Sequence, residues 1–194
     1  MVRTKKNILI IMCMVLVCTV AGCKKEAEKP KVLPVIKISK AAVEFAFKQA
    51  SDVYVKLKHG MLSFDYEKTL LDDDRELYKV ANINNFKDLE TYLHKFFSEQ
   101  IVQDLMAKIN KGEFGHLLKE IKGTLYTDFQ CMCSETYHDE IYTHTKIDDY
   151  KVMLNVKATK SLSNDLPIFE DVKNDFVYEN LDGKKWVFTT FPFF

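Results

Sequence analysis

The stretch Asn174–Phe191, "NDFVYENLDGKKWVFTTF", decides the fold class. Two runs of β-branched and aromatic residues flank Asp182-Gly183. Such a pair between apolar runs is a strong hairpin signal, because its residues accept the backbone angles of a tight turn. Working backwards, "TLYTDFQC", "EIYTHTKI" and "YKVMLNVKAT" carry the same texture with partial period-2 alternation. The chain after Gly123 therefore reads as an antiparallel meander. Trp186, Phe188 and Phe191 fit the alternation only loosely, and a core position is expected for them.

The chain before Gly123 has a different period. Ser39 can cap a helix. In "KAAVEFAFKQASDVYVKLKHG" the residues Ala42, Phe45, Ala46, Gln49, Ala50, Val53, Tyr54 and Leu57 recur every three or four positions, so they are expected to form its buried face. Gly60 is a plausible stop. Residues 61–75 read as a short helix or an irregular loop. Asp72-Asp73-Asp74 lacks the central glycine of a calcium loop and reads as a solvated turn. "ELYKVA" reads as a short strand. Asn85 can cap the next helix, with Asp88 at the reciprocal position, and Ser98 can cap a restart. Residues 86–109 are thus one kinked helix or two consecutive ones, closed by Lys111-Gly112. Helices first and a meander after them give α+β, with N-terminal helices packed on a curved antiparallel sheet. The order of elements resembles the cone-shaped nuclear-transport-factor-2-like fold, and a fold alone does not give a function.

The N-terminus speaks about location. Arg3, Lys5 and Lys6 precede an apolar run, Ile8–Val20, that is shorter than the roughly 20 residues of a membrane-spanning helix. It fits the core of a secretory signal. Val20-Ala21-Gly22-Cys23 resembles a bacterial lipobox, which implies diacylglycerol on the Cys23 thiol and cleavage before it. The expected organisation is a signal peptide over 1–22, an acylated cysteine and flexible tether over 23–37, and one domain over 38–194. The tether "KKEAEKPKVLP" is charged and contains Pro30 and Pro34. The expected place is the extracytoplasmic face of a bacterial cell membrane, with lipid on Cys23 as the contact to the bilayer.

Charge excludes one class of partner. The chain has 28 basic and 28 acidic residues, and loss of Arg3, Lys5 and Lys6 leaves 25 basic. No basic field is available to hold nucleic acid. With 14 Phe and 9 Tyr, an aromatic core is expected.

The one metal-like cluster is "CMCSETYHDEIYTH". On an extended strand Cys131 and Cys133 share a face, and His138 and His144 follow. Cys-x-Cys with spread histidines is not a usual zinc spacing. A metal site, a Cys131–Cys133 disulfide and two ordinary thiols all remain open. His59, His94 and His116 are scattered. The sequence contains no nucleophile elbow and no glycine-rich phosphate loop, so no cofactor and no enzymatic activity are expected.

Four stretches together resemble the IseA-type family of bacterial DL-endopeptidase inhibitors and its lipoprotein relatives. They are "ELYKVANINNFKDLETYLHKFFSEQIVQDL", "GTLY", "YKVMLNVKAT" and "YENLDGKKWVFTTF". The resemblance implies a non-enzymatic domain that binds cell-wall hydrolases outside the membrane. Where relatives carry a glycine-rich acidic loop, this chain has "TDFQCMCSETYHDE", so no binding residue is carried over. The alternative function is a carrier holding a small ligand between helix and sheet.

Overall fold

The computed structural model describes residues 37–115, 118–128, 136–161 and 169–192. They form an α+β arrangement of helices α1 (Lys40–Lys58), α2 (Phe86–Leu93) and α3 (Glu99–Asn110) with strands β1 (Phe64–Asp72), β2 (Arg75–Val80), β3 (Leu118–Ile121), β4 (Thr124–Asp128), β5 (Thr136–Lys146), β6 (Lys151–Ser161), β7 (Phe169–Asn180) and β8 (Trp186–Thr190). The strands make two four-stranded antiparallel sheets rather than one: β1-β2-β4-β3 and the meander β5-β6-β7-β8. Among the described residues no helix is long and apolar enough to cross a membrane.

Helix α1 begins where expected. Ser39 Oγ accepts the Ala42 N–H at 3.2 Å. It ends at Gly60, whose φ of +65° suits a residue without Cβ. Met61 N–H donates to Lys56 O at 2.8 Å and Gly60 N–H to Leu57 O at 3.5 Å, the pair of bonds that closes a helix at a left-handed glycine. The buried face differs from the expected one in its first half. Val43, Phe47, Ala50, Val53, Tyr54 and Leu57 are buried, while Phe45 is 63% exposed and Ala42 and Gln49 face solvent. Both Phe45 and Phe47 sit in an apolar run, so either could have led inward. Only Phe47 continues the 50–54–57 stripe at spacings of three and four.

Residues 61–75 correct the reading as helix or loop: most of them are strand. Strands β1 and β2 pair from Phe64↔Val80 to Asp72↔Arg75. The two-residue connection Asp73-Asp74 has φ of +48° and +63°, the left-handed pair that matches strand twist in a tight hairpin. It is the expected solvated turn. Between Asp65 and Thr69 the register shifts and Tyr66–Lys68 leave the ladder. That bulge, with three charged residues before it ends, erased the alternation from the sequence. Strand β3, "LKEI", is four residues long and half charged, and gave no signal either.

Residues 86–110 are two helices. Asn85 Oδ1 accepts the Asp88 N–H at 2.8 Å. The reciprocal bond goes elsewhere: Asp88 accepts from the backbone and side-chain nitrogens of Asn84. Ser98 sits at the N-cap of α3 without a side-chain cap bond. The break between the helices has a tertiary cause. Ser98 N–H donates to Phe188 O at 2.8 Å and Phe188 N–H to Phe96 O at 2.9 Å, so the linker pairs with β8.

The core face of the second sheet follows from register. Leu154, Val156 and Ala158 of β6 are buried, and Leu154 lies opposite Phe176, Val152 opposite Tyr178. In β8 one extra residue falls between the pairs Tyr178↔Phe188 and Val177↔Thr190. This bulge restores the inward direction after an odd step, so both Phe188 (1% exposed) and Phe191 (5%) enter the core. It explains why the terminal aromatics fit a strict alternation loosely. Phe47 of α1 meets Phe176 at 4.6 Å between ring centroids and Phe191 at 6.0 Å; Phe191 meets Phe97 at 5.1 Å and Phe188 at 5.2 Å. The expected aromatic core is present.

Candidate functional site

A pocket of about 340 Å³ opens between the N-terminal turn of α1 and one end of the β5–β8 sheet. Ile38, Val43, Val152 and Trp186 supply its apolar lining, and Lys37, Lys40, Lys146, Asp148 and Asp149 its charged lining. His144 completes it.

The position of His144 comes from a bulge. His138 pairs with Thr159, but Ile141 pairs with Lys157, so β5 carries one extra residue, next to Asp139 at φ +54°. His138 and His144 are an even step apart in sequence and would share a face on a regular strand. With the extra residue they take opposite faces. His144 lies opposite Leu154, on the core side, and its side chain is 8% exposed. His138 is exposed. The two histidines therefore do not converge, and among the described residues no cluster of three metal-ligating side chains occurs. Cys23, Cys131 and Cys133, with the disulfide reading of the last two, lie outside the described residues, as does His116.

Glu44 of α1 reaches across to His144, with Oε1 at 3.3 Å from Nε2. This contact is attractive when the imidazole is protonated. It is a charge contact rather than an aligned hydrogen bond, since Nε2 is buried and makes none. Trp186 stacks on Tyr178, with centroids 5.6 Å apart, and its Nε1 is also buried without a hydrogen-bond partner. A buried donor of that kind is costly unless something accepts from it.

At the rim, Lys146 Nζ lies 2.5 Å from Asp149, whose carboxyl is held below its usual pKa by that bond and charge. Asp148 Oδ1 accepts the Tyr150 N–H at 2.7 Å. The two acids are thus engaged. Lys37 adds a weaker attraction to Asp149, and neither Lys37 nor Lys40 forms an ion pair or hydrogen bond among the described residues.

The remaining histidines are dispersed. His59 is buried at the end of α1, and His94 lies 3.4 Å from Glu99 at the α2–α3 junction. Of the sequence candidates among the described residues, only His144 lines the pocket. Glu44, Trp186, Lys37 and Lys40 were not singled out as site residues. Tyr142, His144 and Lys146 recur with period 2, which places His144 on one face with Tyr142, but the Glu44–His144 pairing joins distant parts of the chain and leaves no local mark.

No protein-family model matches the chain, and the comparison with curated proteins returns no match.

Proposed function

We propose that this chain is a lipoprotein, held by lipid on Cys23 at the extracytoplasmic face of a bacterial membrane. Its domain is a protein-binding module that inhibits or regulates cell-wall DL-endopeptidases, the role of the IseA-type inhibitors it resembles. In this reading the helix α1 and the β5–β8 meander are a variant of the cone-shaped nuclear-transport-factor-2-like arrangement. The lipobox and the charged tether support the location.

One observation carries the choice of a binding module. The sheet face under α1 is filled by Phe47, Phe176, Phe188 and Phe191 in mutual ring contact, with no more than 5% exposure for any of them. A ligand site needs a cavity, and this part of the face leaves none. The surface offers contact area instead: Phe64, Tyr66 and Tyr78 touch one another on the first sheet, with Tyr66 72% exposed.

The test has two parts. Metabolic labelling with a fatty acid should mark the wild-type protein and not Cys23→Ala, and the mature N-terminus should be residue 23. Cross-linking in intact envelopes should then capture a peptidoglycan hydrolase. An unlabelled wild type sinks the tether, and envelopes that yield no hydrolase sink the regulatory role.

A second reading, a small-ligand carrier, is favoured by the pocket at Trp186 and His144.

A further inference from the structure

We infer that the pocket between α1 and β5, β6 and β8 binds a small organic carboxylate, an anion with a short apolar body. The inference stands apart from the regulatory role and gives content to the carrier reading. Its volume of about 340 Å³ lies at the small end of ligand cavities, which run from about 300 to 1,000 Å³. That suits a compact metabolite and excludes a long acyl chain.

The lining says which chemistry fits. Ile38, Val43, Val152 and the Trp186 ring form an apolar surface for the body of the ligand. The charged lining is Lys37, Lys40, Lys146, Asp148 and Asp149. Lys37 and Lys40 flank the start of α1, whose first turn contains no acidic residue. A cation beside a helix N-terminus opposes the helix dipole, and an anion bound there relieves both. The other charged groups are committed: Lys146 to Asp149, Asp148 to the Tyr150 N–H, Glu44 to His144. One observation independent of the helix end calls for a ligand. His144 is more than nine-tenths buried and lines the pocket, but its Nε2 already faces the Glu44 carboxylate at 3.3 Å. The Trp186 indole N–H is a buried donor with no acceptor. A carboxylate supplies acceptors and no donors, which is what two ammonium groups and an indole N–H can receive.

Trp186 is the single tryptophan of the chain, so its fluorescence reports on the pocket. Hexanoate titrated into the full-length protein should shift the emission saturably in the millimolar range or below. Hexylamine, of the same body and opposite charge, and inorganic phosphate, an anion without a body, should not. Lys37→Ala/Lys40→Ala should raise the apparent Kd for hexanoate at least tenfold with an unchanged circular dichroism spectrum. Both lysines are exposed, and Lys37→Ala alone, outside the helix, gives the same direction should the double variant lose structure. A silent titration, an equal response to hexylamine, or a variant that binds as wild type overturns the inference. Capture of a hydrolase from envelopes would leave such a result standing against the pocket alone.

Discussion

Phe45 and Phe47 have the same side chain, two positions apart on one helix, and opposite fates. Phe47 is 2% exposed and packs its ring on Tyr142, Phe176, Phe188 and Phe191. Truncating a buried phenylalanine costs about 3–5 kcal/mol through lost transfer energy and the cavity left behind. Phe47→Ala should therefore lower unfolding free energy by about that amount in urea denaturation, whereas Phe45→Ala should change it by about 0.5 kcal/mol or less. Equal effects would mean that α1 is rotated from the position described. The two helix caps make a similar pair. Asn85 accepts the Asp88 N–H, and Asn85→Ala should cost about 1 kcal/mol. Ser98 makes no side-chain cap bond, so Ser98→Ala should cost measurably less in the same assay. Both serve as N-caps by residue type, but only coordinates separate a cap that bonds from one whose position is held by pairing with Phe188.

At the scale of elements, the β7–β8 hairpin depends on one carboxylate. Asp182 Oδ1 accepts the N–H groups of Lys184 at 2.9 Å and Lys185 at 3.1 Å, and Gly183 takes φ +73°. Those backbone bonds, the Lys184 one first, depress the Asp182 pKa. A folded-state pKa below the unfolded one means that the contribution is fully present above the ordinary value of about 3.9 and is lost as pH falls through the depressed value. Asp182→Ala should thus lower the thermal midpoint at neutral pH, and the gap to wild type should close on acidification below that value. A gap that stays constant with pH would assign the effect to something other than this carboxylate. This hairpin was readable because turn chemistry is local. Strand β1 was not, since its bulge removes Tyr66–Lys68 from the ladder and leaves no alternation to read. Likewise the β5 bulge, which parts His138 from His144, is invisible to a residue count that assumes regular pleating.

For the molecule as a whole, the class α+β and the change of texture after Gly123 were legible, because helix caps, apolar stripes and strand alternation are all short-range. The division into two sheets was not. It rests on β2 pairing with β4 across α2 and α3, a long-range choice that residue types do not encode locally. The pocket was equally hidden, as Ile38, His144 and Trp186 come to line one cavity only after α1 packs on the meander. The aromatic core fills the middle of the face under α1, and the partner proposed for the outer surface is a cell-wall DL-endopeptidase. The most direct measurement is the rate at which such an enzyme releases fragments from purified peptidoglycan, with increasing amounts of this protein. The rate should fall saturably, and less so with Phe47→Ala under conditions where that variant is partly unfolded. A rate that stays constant up to a large molar excess of folded protein would contradict the account.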